Sequence, residues 1–221
     1  MAITRLAPAQ AIVVTVLCIL VAVVLGETYQ CASQVISPDW LAAGCVNSLL
    51  AIGALTHLWL KDRGLLSPSV RLAYVPALFI LCGSMLLAKL TAQGGTAYVD
   101  DKQWVYFLAS FLWIPPIEEL VFRGGIGRIL RPKIGPLWGA WFSAMIFTMA
   151  HGTPTAQRII NGQVGFALGA FLLGICCEGL LYLTGSLLPG IALHAACNAT
   201  VMIFGVINPR WLDWLGPLYL K

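Results

Sequence analysis

The sequence predicts an all-α membrane protein, a polytopic bundle of about seven transmembrane helices. Of its 221 residues, 59% are hydrophobic and 10% are charged, whereas a soluble domain carries about 25% charged residues. The mean hydropathy is +0.86. The apolar residues also gather into runs close to the length of about 20 residues that a helix needs to cross a bilayer. Together these observations exclude an ordinary soluble domain.

Seven apolar runs define the predicted spans, near residues 8–26, 40–60, 71–90, 104–122, 136–151, 163–183 and 187–207. Pro115 and Pro116 interrupt the fourth run, and the fifth run is short. The first run is long and ends in a poor cleavage site, so we interpret it as a retained helix rather than a signal peptide. No loop is long enough to hold a soluble domain, and residues 1–221 are predicted to form a single membrane domain.

The distribution of charge predicts a cytoplasmic N-terminus. The net charge is +4, but no basic cluster interleaves with aromatic residues, so no nucleic-acid partner is expected. If all seven runs cross, the outside loops hold Glu27, Asp39, Asp100 and Asp101, and the inside loops hold Lys61, Arg63, Arg71, Arg123, Arg128, Arg131 and Lys133. This positive-inside pattern predicts a multi-pass protein in the lipid bilayer of a cell membrane.

The seven cysteines form no C-x-x-C pair and show no metal-ligand spacing. Six of them fall in apolar runs, and we interpret them as small buried hydrophobic residues.

A small set of ionisable and polar residues interrupts the later apolar runs: Glu118, Glu119, Arg123, His151, Glu178, His194 and Asn198. A charged group inside a membrane costs about 2.5–3.5 kcal/mol on insertion scales, so such groups usually face a cavity or a partner. A single ion pair or a single buried histidine is more often structural than functional. Several in the last spans favour a shared functional cavity.

The segment "PPIEELVFR" predicts a helix that begins near Pro116, because proline is tolerated in the first helical turn. Glu118 and Glu119 then lie where the helix dipole favours carboxylates. Glu119 and Arg123 are four residues apart on one face, in the order that favours an ion pair. Glu118 lies about 100° around the helix from Glu119, which leaves it available for other work.

The segment "RPKIGP" at 131–136 predicts a turn between two antiparallel helices. With the turn centred near residues 134 and 135, positions whose numbers sum to about 269 lie level with each other. Glu118 and His151 meet that condition. The spacing therefore predicts that this carboxylate and this imidazole lie at one depth.

The segment "LPGIALHAACN" places His194 and Asn198 four residues apart on one face of the last span. A carboxylate can act as general base on a water molecule, and an imidazole can orient that water or shuttle a proton. A second imidazole and an amide can donate hydrogen bonds to a developing oxyanion. The set predicts attack of water on a carbonyl, which is amide hydrolysis within a membrane.

Other interpretations of the same residues stay open at this point. Two histidines and a glutamate could hold zinc, but the H-E-x-x-H spacing is absent, so we expect no cofactor. A proton-coupled carrier would show inverted halves, which the sequence does not suggest. A non-catalytic immunity or adaptor protein could bind a peptide in the same cavity. Glu178 either faces the cavity or pairs with a base.

Three motifs resemble those of the CPBP (CAAX protease and bacteriocin-processing, Abi) family. "EELVFR" resembles its E-E-x-x-x-R motif, "FTMAH" its F-x-x-x-H motif and "HAACN" its H-x-x-x-N motif. The segment "GLLYLTGSLLPGIALHAACN" is also typical of the approach to the last motif. The resemblance covers about residues 104–207 as a catalytic core, and residues 1–103 are undiagnostic.

The resemblance implies a glutamic-type intramembrane endopeptidase with a protein or peptide substrate. It implies that Glu118 activates water with His151 as its partner and that His194 and Asn198 form the oxyanion site. Glu119 and Arg123 would be the supporting pair. The short loops are more typical of a prokaryotic plasma-membrane member than of the eukaryotic prenyl-protein endopeptidases. The catalytic groups would lie on the last four spans.

Overall fold

The structure, a computed structural model, describes residues 7–37, 39–61, 71–91, 108–152, 155–162 and 165–207. Within these ranges the regular structure is entirely helical, which agrees with the predicted all-α class. Residues 104–107 of the fourth predicted span lie outside the described ranges, as do Arg63, Asp100 and Asp101.

Eight helical elements occur in the described part of the chain. They are α1 (Pro8–Ser33), α2 (Asp39–Lys61), α3 (Val75–Thr91, preceded by a 3₁₀ turn at Arg71–Tyr74), α4, α5 (Pro136–His151), α6 (Ala156–Ile160), α7 (Leu168–Thr184) and α8 (Leu188–Ile207). Element α4 consists of four consecutive helical pieces, Ala109–Trp113, Ile114–Glu119, Leu120–Gly127 and Arg128–Ile134. The first and third of these pieces are π-helical.

The α-helical piece that contains Pro115 and Pro116 begins at Ile114 with proline in its first turn, as predicted, but the chain is already helical before these prolines. Helical structure runs through them, because the preceding turn, Ala109–Trp113, is π-helical. The wider turn pairs the Ile114 N–H with the Ala109 carbonyl, five residues back. A proline has no N–H to continue that ladder, and the wide turn gives its ring room within a continuous helix.

The second π-helical piece, Leu120–Gly127, carries the chain past the two glutamates. A π turn shifts carbonyl groups away from their usual donors, and inside a membrane every such group needs a partner. Arg131 supplies two of them. Its Nη2 donates to the Arg123 carbonyl at 2.5 Å, and its Nε donates to the Gly127 carbonyl at 3.0 Å. Arg131 therefore stabilises the backbone of the π-helical piece through two side-chain hydrogen bonds.

The turn between α4 and α5 is shorter than the predicted six-residue segment. The helix continues through Pro132 to Ile134, and only Gly135 turns the chain, with φ of 86°. Arg123 was counted among the loop charges, and that assignment was wrong. Its side chain has no solvent exposure and lies inside the helix bundle, where Glu119 of the same helix neutralises it and the Phe147 ring of α5 covers it.

The helices pack around α4 and α5. α4 contacts α2, α5 and α8, while α1 packs on α2 and α5. α8 also packs against α3 and α7. Phe122 of α4 and Phe147 of α5 meet edge to face, with 5.1 Å between ring centroids. This aromatic contact fixes the two helices that carry the ionisable residues.

Apolar side chains cover much of the outer surface. On α1, Val13, Leu17, Leu20 and Val24 are all at least half exposed and follow one another at helical spacing. Among the described residues one helix, Gln10–Ser33, has the length and hydropathy to cross a membrane. Four apolar helices are shorter, at Gly44–Ala54, Leu72–Leu87, Leu168–Thr184 and Leu188–Phe204.

Gly139 allows α5 to approach α4 closely, and replacing it by alanine is expected to destabilise the protein by about 1–3 kcal/mol. A Cβ at this position would lie 2.8 Å from the Arg131 Cα and 2.9 Å from its backbone nitrogen. Backbone atoms cannot move away without separating the two helices. Gly53→Ala is the matched control, since a Cβ there meets nothing within 4 Å and alanine favours the helix. The midpoint of thermal unfolding in detergent should fall only for Gly139→Ala.

Candidate active site

Glu119 lies at the centre of a buried polar cluster. Its Oε1 is 3.1 Å from Arg123 Nη1 and 2.9 Å from His194 Nδ1. The Arg123 guanidinium also lies over the Phe147 ring, 4.2 Å from the centroid. The predicted Glu119–Arg123 pair is therefore present. The third member of the cluster, His194, is 75 residues from Glu119 in the sequence and could not be predicted from local spacing.

The contact with Glu119 orients the imidazole of His194. A carboxylate beside a guanidinium is a hydrogen-bond acceptor, so the His194 Nδ1–H donates to it. In the neutral ring Nε2 then carries a lone pair. That nitrogen faces Glu118, with 3.6 Å between His194 Nε2 and Glu118 Oε2. His194 thus lies between the two glutamates, with Nδ1 on Glu119 and Nε2 facing Glu118.

His151 approaches Glu118 from the other side. Its Nδ1 is 2.8 Å from the Phe147 carbonyl, which can only accept, so Nδ1–H donates to it. The His151 Nε2 is 4.0 Å from Glu118 Oε2. The spacing argument placed Glu118 and His151 at one depth, and the structure brings them together there.

Three acceptor atoms therefore converge, Glu118 Oε2 and the Nε2 atoms of the two histidines. Their separations, 3.6 and 4.0 Å, exceed a direct hydrogen bond and suit groups that share a water molecule. The side-chain exposure falls from 37% at His151 to 12% at Glu118 and 2% at His194. The group is reached from the His151 side and closed beyond His194.

Asn198 is on the same helix as His194 but is directed to a different partner. Its Nδ2 donates to the Ser110 carbonyl at 2.8 Å. In the π-helical register, the donor for that carbonyl would be the residue at 115, which is a proline without an N–H. The amide of Asn198 replaces this donor and docks α8 on α4. A second N–H of the amide group is left for another acceptor.

Glu178 pairs with a base, one of the two roles left open for it. Its Oε2 is 3.6 Å from Arg131 Nη1, and its side chain is almost fully buried. Gly127 makes room for the carboxylate, because a Cβ there would lie 2.7 Å from Glu178 Oε1. Because Arg131 also binds backbone carbonyls of α4, the pair stabilises the π-helical piece. Glu178 is not one of the residues that supply the three converging acceptor atoms.

Tyr29 and Asn47 were not singled out from the sequence. Both are buried, and the Tyr29 hydroxyl donates to Asn47 Oδ1 at 2.6 Å. The phenol lies within electrostatic range of the Glu118 carboxylate. A tyrosine near the end of an apolar run reads as an interfacial anchor, so only the packing of α1 and α2 on the core reveals this contact.

The cysteines of the described chain are all free thiols, and only Cys18 and Cys177 are fully buried. The prediction of small buried residues holds for these two and is wrong for Cys82 and Cys176, whose side chains are exposed on the outer surface. Cys31, which lies outside the six apolar-run cysteines, is also exposed. In the described ranges no group of three histidine, cysteine, aspartate or glutamate side chains is arranged to hold a metal ion.

Residues 100–200 match the family described as "Type II CAAX prenyl endopeptidase Rce1-like". The matched range is a little under half of the chain, and it agrees with the resemblance of the three motifs to the CPBP family of CAAX proteases. All seven defined residues of the three motifs lie inside the matched range. The CPBP family is a membrane-associated protease family, which supports peptidase activity for this chain. No curated protein and no solved structure matches it.

Proposed function

We propose that this chain is a multi-pass intramembrane endopeptidase of the CPBP type in which Glu118 activates the attacking water. The observation that carries the proposal is the convergence of Glu118 Oε2 with the Nε2 atoms of His151 and His194. A water molecule between these acceptors would donate its protons to them and direct an oxygen lone pair at the substrate. This is the arrangement that general-base catalysis requires.

In the proposed reaction, water attacks the carbonyl carbon of the scissile peptide bond and Glu118 takes up the proton. A tetrahedral intermediate forms, the C–N bond breaks, and the proton passes from Glu118 to the departing amine. His151 holds the water through Nε2, since its Nδ1 is fixed by the Phe147 carbonyl. His194 and Asn198 would line the oxyanion site, where the second N–H of Asn198 donates to the developing negative charge.

Glu119 and Arg123 support this chemistry without touching the substrate. Glu119 sets the orientation of the His194 ring, and Arg123 keeps Glu119 ionised by direct pairing. Their burial removes competing water, which strengthens the contact that holds the imidazole. The proposed mechanism uses no cofactor, and all of its proton transfers run through side chains of this chain.

The proposed substrate is a peptide bond close to the membrane. Candidates are lipidated C-terminal tails, bacteriocin leaders, signal-peptide remnants and C-terminal sorting segments. All of these present an extended segment at the lipid interface, where a water-containing cavity inside the bundle can receive it.

The proposal is tested by comparing N- and C-terminal peptides of the membrane proteome in cells with the wild-type chain and cells with a deletion. We expect at least one terminus that occurs only with the wild type. A strong chelator should leave its formation unchanged, whereas loss with the chelator would favour a metalloprotease. Identical termini in both cells, together with a peptide captured by the purified protein, would instead support the immunity or adaptor function.

A further inference from the structure

Contacts between the helices fix their relative directions. α1 and α2 are joined by a short connection and pack on each other, so they are antiparallel. α2 and α4 run in the same direction, since Gly44 lies against the Trp113 ring and a Cβ at Gly125 would be 3.7 Å from Ala54. α4 and α5 are antiparallel across the turn at Gly135. It follows that α1 and α5 are parallel.

These directions give the bundle two chemically different ends. At one of them, which we call the basic end, α1 begins, α2 finishes at Lys61, and the Gly135 turn follows Arg128 and Lys133. The described part of the chain thus brings basic residues to this end at two places, the last residue of α2 and the stretch before the Gly135 turn.

The opposite end, which we call the histidine end, has a different charge balance. α5 finishes there at His151, and α2 begins there at Asp39. Glu27 of α1 accepts the Ala156 N–H at 2.8 Å, and Arg158 of the following short helix is the base nearby. Of these residues only Arg158 is basic, whereas Arg128 and Lys133 both lie at the basic end, so fewer of the named lysine and arginine residues lie at the histidine end.

The converging acceptors lie much nearer the histidine end. α5 has 16 residues from the Gly135 turn to His151, which at a rise of about 1.5 Å per residue is about 24 Å. The hydrocarbon core is about 30 Å thick. The group around Glu118 is therefore separated from the basic end by most of the bilayer, and its exposed member, His151, opens toward the other surface.

We propose that the active-site cavity opens on the extracytoplasmic face of the membrane. Lysine and arginine near membrane helices are retained in the cytoplasm, which assigns the basic end to that side and the histidine end to the outside. Resting on the endopeptidase function proposed above, this names the substrate class as membrane-anchored polypeptides cut at the extracytoplasmic interface. Signal-peptide remnants and C-terminal sorting segments fit, whereas leaders and lipidated tails that stay in the cytoplasm do not.

The test is thiol labelling of the full chain in sealed right-side-out and inside-out membrane vesicles with a membrane-impermeant maleimide. The parent variant is Cys31→Ser, which removes the exposed thiol of α1. Gln157→Cys reports the histidine end and Lys133→Cys the basic end, and both native side chains are exposed. His151→Cys reports the mouth of the cavity itself.

We expect Gln157→Cys and His151→Cys to label above the parent in right-side-out vesicles and to lose that labelling in inside-out ones. Lys133→Cys should show the reverse. The opposite pattern would overturn the proposal, as would labelling of Gln157→Cys from outside with His151→Cys unlabelled on either side. If His151→Cys does not accumulate, the other pair still decides the orientation. Labelling needs no hydrolysis, so failure of the endopeptidase function would appear separately, as unchanged termini in the deletion.

Discussion

Replacing Glu118 by glutamine is expected to lower peptide hydrolysis by about 10²–10⁴-fold, the usual contribution of a positioned general base. The amide keeps the size of the side chain but cannot accept the proton that water gives up. Because Glu118 is not part of the Glu119–Arg123 pair, the variant should still fold. The measurement is the rate at which the product terminus appears, together with protein abundance in the membrane.

Glu27→Gln is the matched control for this change. Glu27 is an exposed carboxylate at the same end of the bundle, and its hydrogen bond to the Ala156 N–H can be kept by the amide oxygen. This variant should cleave at the wild-type rate. Wild-type turnover by Glu118→Gln would contradict the proposed mechanism. Equal losses in both variants would mean that charge at this end, not proton transfer, controls the rate.

Replacing Arg123 by methionine should destabilise the protein by about 3–5 kcal/mol, because it leaves the buried carboxylate of Glu119 without its cation. Arg123 has no exposure and also covers the Phe147 ring, so water cannot replace it. Activity should fall together with abundance, since Glu119 then holds His194 less firmly. The measurements are abundance in the membrane and the thermal unfolding midpoint in detergent.

Lys133→Met is the matched control. It removes an exposed positive charge and should leave both the abundance in the membrane and the thermal unfolding midpoint nearly unchanged. The double variant Glu119→Gln with Arg123→Met should be less destabilised than the sum of the two single changes, because it leaves no charge unpaired. Normal abundance and unfolding midpoint for Arg123→Met would show that the pair is dispensable for the fold.

Local spacing predicted the parts of the site that one helix or one hairpin determines. Glu119 and Arg123 are four residues apart on α4, so their pairing needs no other element. Glu118 and His151 meet because a single turn joins two antiparallel helices, and counting from that turn gives their common depth. The helices themselves follow from apolar runs of membrane length.

The remaining contacts join segments far apart in the chain, and spacing carries no information about them. The contact of His194 with Glu119 and that of Asn198 with Ser110 depend on how α8 docks on α4. Arg123 was placed in a loop because spacing does not show that the Phe147 ring of α5 covers its guanidinium. The π-helical pieces were also missed, because a turn of five residues instead of four leaves no periodic signal in so short a segment.

Pro115 has a consequence for the position at which α8 docks on α4. In lipid, a regular helix satisfies its own backbone and offers neighbours little except shape. Pro115 has no N–H to donate to the Ser110 carbonyl. The side-chain amide of Asn198 on α8 donates to that carbonyl instead. The missing N–H of Pro115 thus determines where on α4 the Asn198 side chain of α8 docks. A Pro115→Ala chain would keep every motif, but its own N–H at position 115 could then serve the Ser110 carbonyl in place of Asn198.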